Sequence, residues 1–321
     1  MSEPFHAKPQ SFMERNPALR EMIAASRITP EEIEEAISAT RAIYKRLDKE
    51  LPDGHNWKYK KLLHAETCAE EVAEHAPLFG FRGVETDVFR FILFGHDIGR
   101  LEQGIRRERG ETVDDEVHGK LSVEHIVKAI GLRTSGSIWP FILKAIECHS
   151  LRVTPKAEDL GGLSPAHPLI QVMRDTDKLG GFDAATSYTS DPERKDKERR
   201  ANWKDFLDAD PLQGTEMGII APACFFWSNF LSSQALDRRE CRSYEAYMLQ
   251  LLAWMFDVQT PEMRRVIIDR GGPKIVFDYL IKRLDTGSEK LETRADRIEA
   301  SAQLLALQKW GAKWEGGILL G

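Results

Sequence analysis

A histidine and an aspartate stand side by side at His96 and Asp97, closing the apolar run FRFILFGHDIGR. Phe89, Phe91, Ile92, Leu93 and Phe94 drive that run into a core and carry the pair inward with it. A buried carboxylate is costly unless a cation or several donors meet it. Nitrogen and oxygen donors on one short segment suit a borderline or hard divalent ion: zinc, iron, manganese or magnesium. Two residues do not make a site. Further segments bring a histidine or aspartate to an apolar helix, or close to one: His64, His118, His149, and the pair Asp175 and Asp177. Any one of them alone reads as an ordinary helix residue. Arriving in order on successive helices, they form the series that a metal site at the centre of a bundle requires.

Helical period is what the chain supplies to position them. TPEEIEEAISATRAIYKRLDKELPDG has Thr29 as cap, Pro30 at the first helical position, Glu32 to close a capping box, and Pro52-Asp53-Gly54 as its stop. Ile33, Ala36, Ile37, Ile43, Tyr44 and Leu47 form its apolar stripe. WKYKKLLHAETCAEEVAEHAPLFG carries His64 and His75, with Leu62, Leu63, Val72 and Ala73 as core candidates. The helix bearing the His–Asp pair runs from Glu85 to about Gly99, which stops it. LEQGIRRERGETVDDEV then reads as a long polar loop, basic at Arg106, Arg107 and Arg109 and acidic at Asp114, Asp115 and Glu116. HGKLSVEHIVKAIG, IWPFILKAIECHS and PLIQVMRDTDKLGGF are helices, and LRVTPKAEDLGGLSPAHP is a loop by its Pro and Gly content.

Residues 1–16 read as a loose lead-in. After Gly180 the composition turns polar in SYTSDPERKDKERR. Helical period resumes in WKDFLDAD, PACFFWSNFLSSQAL, RSYEAYMLQLLAWMFDV, PEMRRVIID, KIVFDYLIKRL and EKLETRADRIEASAQLLALQKW. Strand-like alternation is scarce and no fixed-period repeat occurs. The sequence predicts an all-α protein.

The 321 residues are 42% hydrophobic, ample material for a large buried core. A net charge of −6 and a pI near 5.9 supply no global basic field for nucleic acid, although a local anion site remains compatible. Cys68, Cys148, Cys224 and Cys241 are scattered without a CxxC pair, which argues against a disulfide framework or cysteine zinc knuckle and fits a reducing cytosol. No run approaches the roughly 18 apolar residues of a membrane span. MSEPFHAKPQ lacks the basic-then-apolar order of a signal peptide. The expectation is a cytoplasmic protein with no membrane partner.

On its motifs the chain resembles the HD-domain superfamily of metal-dependent phosphohydrolases, in the form of the bacterial stand-alone HD hydrolases. The resemblance rests on His64 in KLLHAE, on His96 and Asp97 in FGHDIGR followed by LEQ, on the HG opening at His118, and on Asp177 in RDTDKLG. It covers about residues 56–182 and implies an HD helical bundle there, flanked by an N-terminal helical segment (1–55) and a C-terminal helical extension (183–321). It implies His64, His96, Asp97 and Asp177 as ligands of one ion, with Asp177 rather than Asp175 as the late ligand. A second ion on His118 and His149, bridged by Asp97, is one arrangement it permits. The other is a single ion, with those two histidines contacting phosphate or acting as general acid. Fe, Mn, Zn, Co, Ni and Mg are not distinguished.

The reaction implied is hydrolysis of a phosphate ester or anhydride, most simply of a nucleotide, by a metal-activated water. Asp97, His118 and Lys178 are the catalytic candidates. Arg100, Arg106 and Lys178 are the phosphate-binding candidates, since guanidinium clamps phosphate bidentately; Arg107 and Arg109 share the loop of Arg106. There is no GxSxG and no Walker GxxxxGK, so neither a serine nucleophile nor a P-loop is indicated. Two other classes share this ligand order: a di-iron oxygenase, as in inositol oxygenase and phosphonate-cleaving enzymes, and a non-catalytic nucleotide-sensing module. A non-catalytic module has no physical need for all six ligands. His6, His55, His75, His125 and His167 read as surface, loop or packed histidines, and Phe225, Phe226, Trp227 and Phe230 as core. The helical flanks are able to cap a pocket or form a homodimer.

Overall fold

In the computed structural model the helix that leads into the His–Asp pair is, among the described residues, the one buried most completely. The structure describes residues 10–55, 57–131, 138–151, 154–189, 244–288 and 309. WKDFLDAD, PACFFWSNFLSSQAL with its aromatic set, His6, and all of EKLETRADRIEASAQLLALQKW except Lys309 lie outside the described residues. Among the described residues the regular structure is helical and there is no strand, as the sequence predicts. None of those helices is long and apolar enough to cross a membrane.

The first unit holds residues 1–180 and Thr260–Met263. It begins with α1 (Phe12–Arg15), α2 (Pro17–Ser26) and α3 (Pro30–Glu50). The lead-in is shorter than expected. Phe12 is fully buried because Phe79, Phe81 and Phe89 meet its ring edge-on at 5.9–6.4 Å. In α3, Thr29 accepts from the Glu32 amide and Glu32 accepts from the Thr29 amide, the predicted capping box. Next come α4 (Lys60–Glu74), α5 (Ala76–Phe79), α6 (Val84–Gly95) and α7 (Ile98–Glu108), then α8 (His118–Ile130), α9 (Trp139–Cys148) and α10 (Ala166–Thr189). α6 packs against α3, α4 and α9, so Val88, Phe89, Phe91, Ile92, Leu93 and Phe94 are buried on every side. Leu63, expected in the core, is exposed instead; the buried stripe of α4 runs through Ala65, Cys68, Ala69 and Val72.

Two boundaries differ from the sequence reading, for the same reason. Gly99 does not stop a helix: α6 ends at Gly95, the chain bends through His96 and Asp97, and Gly99 lies inside α7. A Cβ on Gly99 would stand 2.0 Å from the His118 carbonyl oxygen, so the glycine is there to let α7 and α8 touch. The stretch read as a polar loop, with Arg106 and Arg107 in it, is mostly α7, held by an inner face of Ile98, Leu101 and Ile105. α10 continues through Gly180, as the sequence reading has it, and the missing side chain there admits the His64 ring. Sequence assigns a glycine to a turn or to a close approach only with knowledge of its neighbour.

Asp175 and Thr260 join two distant stretches of this unit. The Asp175 carboxylate, fully buried, accepts from the Thr260 amide at 2.7 Å and its hydroxyl at 2.8 Å, while Lys178 stands 3.6 Å away. Truncating it removes the anion facing a buried ammonium and two good acceptor contacts. Asp175→Ala is therefore expected to cost about 3 kcal/mol, read as a fall in the urea midpoint. An unchanged midpoint would contradict this.

The second unit holds residues 181–259 and 264–321. Its described part contains α11 (Tyr244–Asp257), most of α12 (Pro261–Asp269) and α13 (Gly272–Ser288), with α11 packed on α13. Met248, Leu249, Leu251, Leu252 and Ala253 of α11 are buried, with Ile267, Val276 and Leu280.

Candidate metal centre

Six helices deliver the centre. α4 supplies His64, the α6–α7 bend supplies His96 and Asp97, α8 opens with His118, His149 follows α9, and α10 supplies Asp177. Placing His96 and Asp97 at a bend lets adjacent residues point at a common point without sharing one helix face. Ser122 pins the bend: its hydroxyl lies 2.5 Å from the His96 carbonyl and 2.9 Å from the His118 carbonyl, and it accepts from the Gly99 amide at 2.9 Å.

Three imidazoles are fixed identically. Nδ1 of His96, His118 and His149 lies 2.5, 2.5 and 2.7 Å from the carbonyl three residues earlier: Leu93, Asp115 and Ile146. A carbonyl only accepts, so Nδ1 carries a hydrogen and Nε2 is the nitrogen each ring turns to the centre. Such anchoring of the outer nitrogen is the usual support for a metal-ligating histidine.

Asp97 divides the cluster. Its Oδ1 lies 3.5 Å from His118 Nε2 and 3.6 Å from His149 Nε2. Its Oδ2 lies 3.9 Å from both His64 Nε2 and His96 Nε2. On that second side Asp177 Oδ1 lies 3.0 Å from His64 Nε2 and 3.4 Å from His96 Nε2. Asp97, His118 and His149 form a wholly buried group able to hold a metal ion, and His64, His96 and Asp97 form another.

Two atoms test whether a cation fits. His96 Nε2 is buried and makes no hydrogen bond of good geometry. His118 Nε2 and His149 Nε2 face one another at 2.9 Å. Two neutral imidazoles anchored through Nδ1 would oppose lone pairs there, which a shared positive charge relieves. The spacing also matches neighbouring ligands with bonds of about 2.0–2.1 Å at right angles. The donor set fits a divalent ion.

The charges agree. Burial works to raise the Asp97 carboxyl, yet Lys61, then His96, outweigh it and hold Asp97 well below the usual carboxylate range. Burial likewise opposes ionisation of Asp177, and the neighbouring His64 and His96 imidazoles overcome it. Burial pushes His118 down, helped by Arg100, and also lowers His149, leaving both as neutral imidazoles. At His96 burial is outweighed by Asp97 and Asp177, so its value rises above 6.5. Its folded-state proton is therefore held to higher pH than that of an ordinary imidazole and is lost as pH rises through the raised value. Metal uptake near pH 7 is expected to displace that proton, and apparent affinity to fall as pH drops from above 6.5. Calorimetric titration in buffers of different ionisation enthalpy measures the release; none at pH 7 would refute it.

Of the residues expected to bind phosphate, Arg100 reaches the centre, 3.8 Å from Asp97 Oδ1, while pairing with Asp115 at 3.1 Å. Arg106 instead pairs with Glu102 along α7 at 2.9 Å, and Lys178 is buried beside Asp175. Lys61 was missed. Its ammonium lies 2.5 Å from Asp97 Oδ2, one turn before His64 on α4. The signal was its three-residue spacing from His64, which puts both on one helix face. His55 and His125 pair with Glu108 and Glu102 away from the centre. His75 groups with Glu71 and Glu74 at the far end of α4.

No protein-family model, curated protein or solved structure matches the chain. The site stands on its own chemistry.

Proposed function

We propose that the protein is an HD-type metal-dependent phosphohydrolase that cleaves a phosphate ester or anhydride, with a nucleotide as the substrate class. The observation that carries the reading is Asp97, whose two oxygens face two separate sets of donors. That division supports two ions with Asp97 between them: His64, His96 and Asp177 on one side, His118 and His149 on the other. Ions held by these residues would make a bound water acidic enough to supply hydroxide near neutral pH and would polarise a phosphoryl oxygen.

The chain's own residues supply the rest. Asp97 and Asp177 hold negative charge against the ions, and buried His118 and His149 stay neutral donors. Lys61 and Arg100 flank Asp97 from opposite oxygens, positive charges beside the place where a phosphoryl group gains negative charge. His64 and Asp177 are the more exposed ligands, with side chains 25% and 40% exposed, so substrate approach is from their side.

The test is to load purified protein with Mn, Fe, Co or Mg in turn and assay phosphate esters and nucleotides. Turnover with at least one metal, lost in His96→Ala, is the expected result; no turnover with any would overturn the hydrolase reading. The carboxylate between two histidine sets also supports a second reading, a di-iron oxygenase. Oxygen consumption by iron-loaded protein would select it.

A further inference from the structure

We propose that Cys68 is a further ligand of the first metal position, joining His64 and Asp177, and that its sulfur biases this position toward zinc-, cobalt- and iron(II)-class ions over magnesium. The inference rests on the cluster being a metal centre, and it names a donor outside the histidine–aspartate set.

Cys68 follows His64 by one helical turn on α4, so the two side chains share a face. It is 1% exposed, and its sulfur lies 3.7 Å from His64 Nε2 and 3.8 Å from Nδ1. Ligand atoms of His64, Cys68 and Asp177 all lie within 4.8 Å of one another. Gly180 makes this approach feasible: a Cβ there would stand 3.1 Å from His64 Cε1 and 3.7 Å from the Cys68 sulfur. The bare glycine thus brings α10, with Asp177 one turn earlier, against both side chains.

A second observation points to the same place. The buried His96 Nε2, without a hydrogen bond, is aimed at Asp177 Oδ1 from 3.4 Å. Asp177 therefore stands with an orphaned nitrogen on one side and a thiol on the other. His64 is also the ligand histidine for which no carbonyl three residues back anchors Nδ1 among the described contacts; the sulfur is what lies beside it.

Sulfur changes which ion is preferred. Thiolate suits zinc and other borderline ions, whereas magnesium requires near-octahedral oxygen ligands and keeps its waters. As the sulfur–metal bond forms, the S–H proton leaves to solvent, so charge and atoms balance without any oxidant or reductant.

Cobalt(II) is the probe, added to the full-length protein. The wild type is expected to show visible d–d bands together with a near-ultraviolet thiolate-to-cobalt charge-transfer band, and cobalt X-ray absorption to show a sulfur neighbour. Cys68→Ser and Cys68→Ala, checked for folding by circular dichroism, are expected to keep bound cobalt but lose the charge-transfer band. Their zinc affinity is expected to fall at least roughly tenfold, with magnesium affinity unchanged. Bound cobalt with no sulfur neighbour in the wild type overturns the role of Cys68 and leaves the histidine–aspartate centre standing. A charge-transfer band that persists in both variants also overturns it, by assigning the sulfur to another cysteine. Failure of the wild type to bind cobalt or zinc overturns the metal centre itself, and this proposal with it.

Discussion

Replacing Asp97 with alanine is expected to empty both metal positions at once, whereas His149→Ala empties only the second. Asp97 is the residue whose separate oxygens face both donor sets, Oδ1 toward His118 and His149 and Oδ2 toward His64 and His96. Without it, the second position keeps imidazoles alone and the first loses one of its two carboxylates, in a buried setting where an uncompensated charge is most costly. Elemental analysis after dialysis reads the outcome directly. The wild type should retain up to two ions per chain, Asp97→Ala none and His149→Ala one. Activity of Asp97→Ala should fall by more than the roughly 10²–10³-fold typical of losing one electrostatic stabiliser. Asp97→Asn, nearly the same shape, separates loss of charge from loss of packing. An Asp97→Ala protein that retains a full equivalent of ion would end the bridging assignment.

Gly99→Ala should damage the same centre without touching a ligand. The added methyl would meet the His118 carbonyl oxygen at 2.0 Å and the Ser122 amide at 2.8 Å, both backbone atoms, so no side chain can swing aside. α7 and α8 must separate, at or beyond the upper end of the ~1–3 kcal/mol typical of overpacking. That movement carries His118 away from Asp97 Oδ1 and breaks the Ser122 contacts that pin the bend. The expected signature is a lowered denaturation midpoint together with weakened binding of the second ion. Gly162→Ala, with nothing within 4 Å of the added carbon, is the control and should leave both unchanged. Equal behaviour of the two variants would show that the close approach is not a constraint.

These expectations differ in how much of them the sequence already contained. The chemistry of the centre was legible because metal-binding side chains are few and their identity survives without coordinates. His96 next to Asp97 after an apolar run, with His64, His118, His149 and Asp177 in order on helices, pointed to one cluster, and those side chains do converge. The all-α character was legible too, since period and caps are local: Thr29, Pro30 and Glu32 cap α3 as written.

What the sequence left open depends on contacts between residues far apart in the chain. Gly99 reads as a helix stop until α8 is seen against it. Arg106 reads as a loop cation until α7 pairs it with Glu102. Lys178, adjacent to a ligand, turns toward Asp175, while Lys61, which no motif marks, stands on Asp97. Residue types and spacing thus determined which donors the protein brings and that helices carry them. Only the tertiary packing decided which oxygen of Asp97 each donor faces and which cations stand beside it, because a side chain's direction is set by the neighbour it packs on.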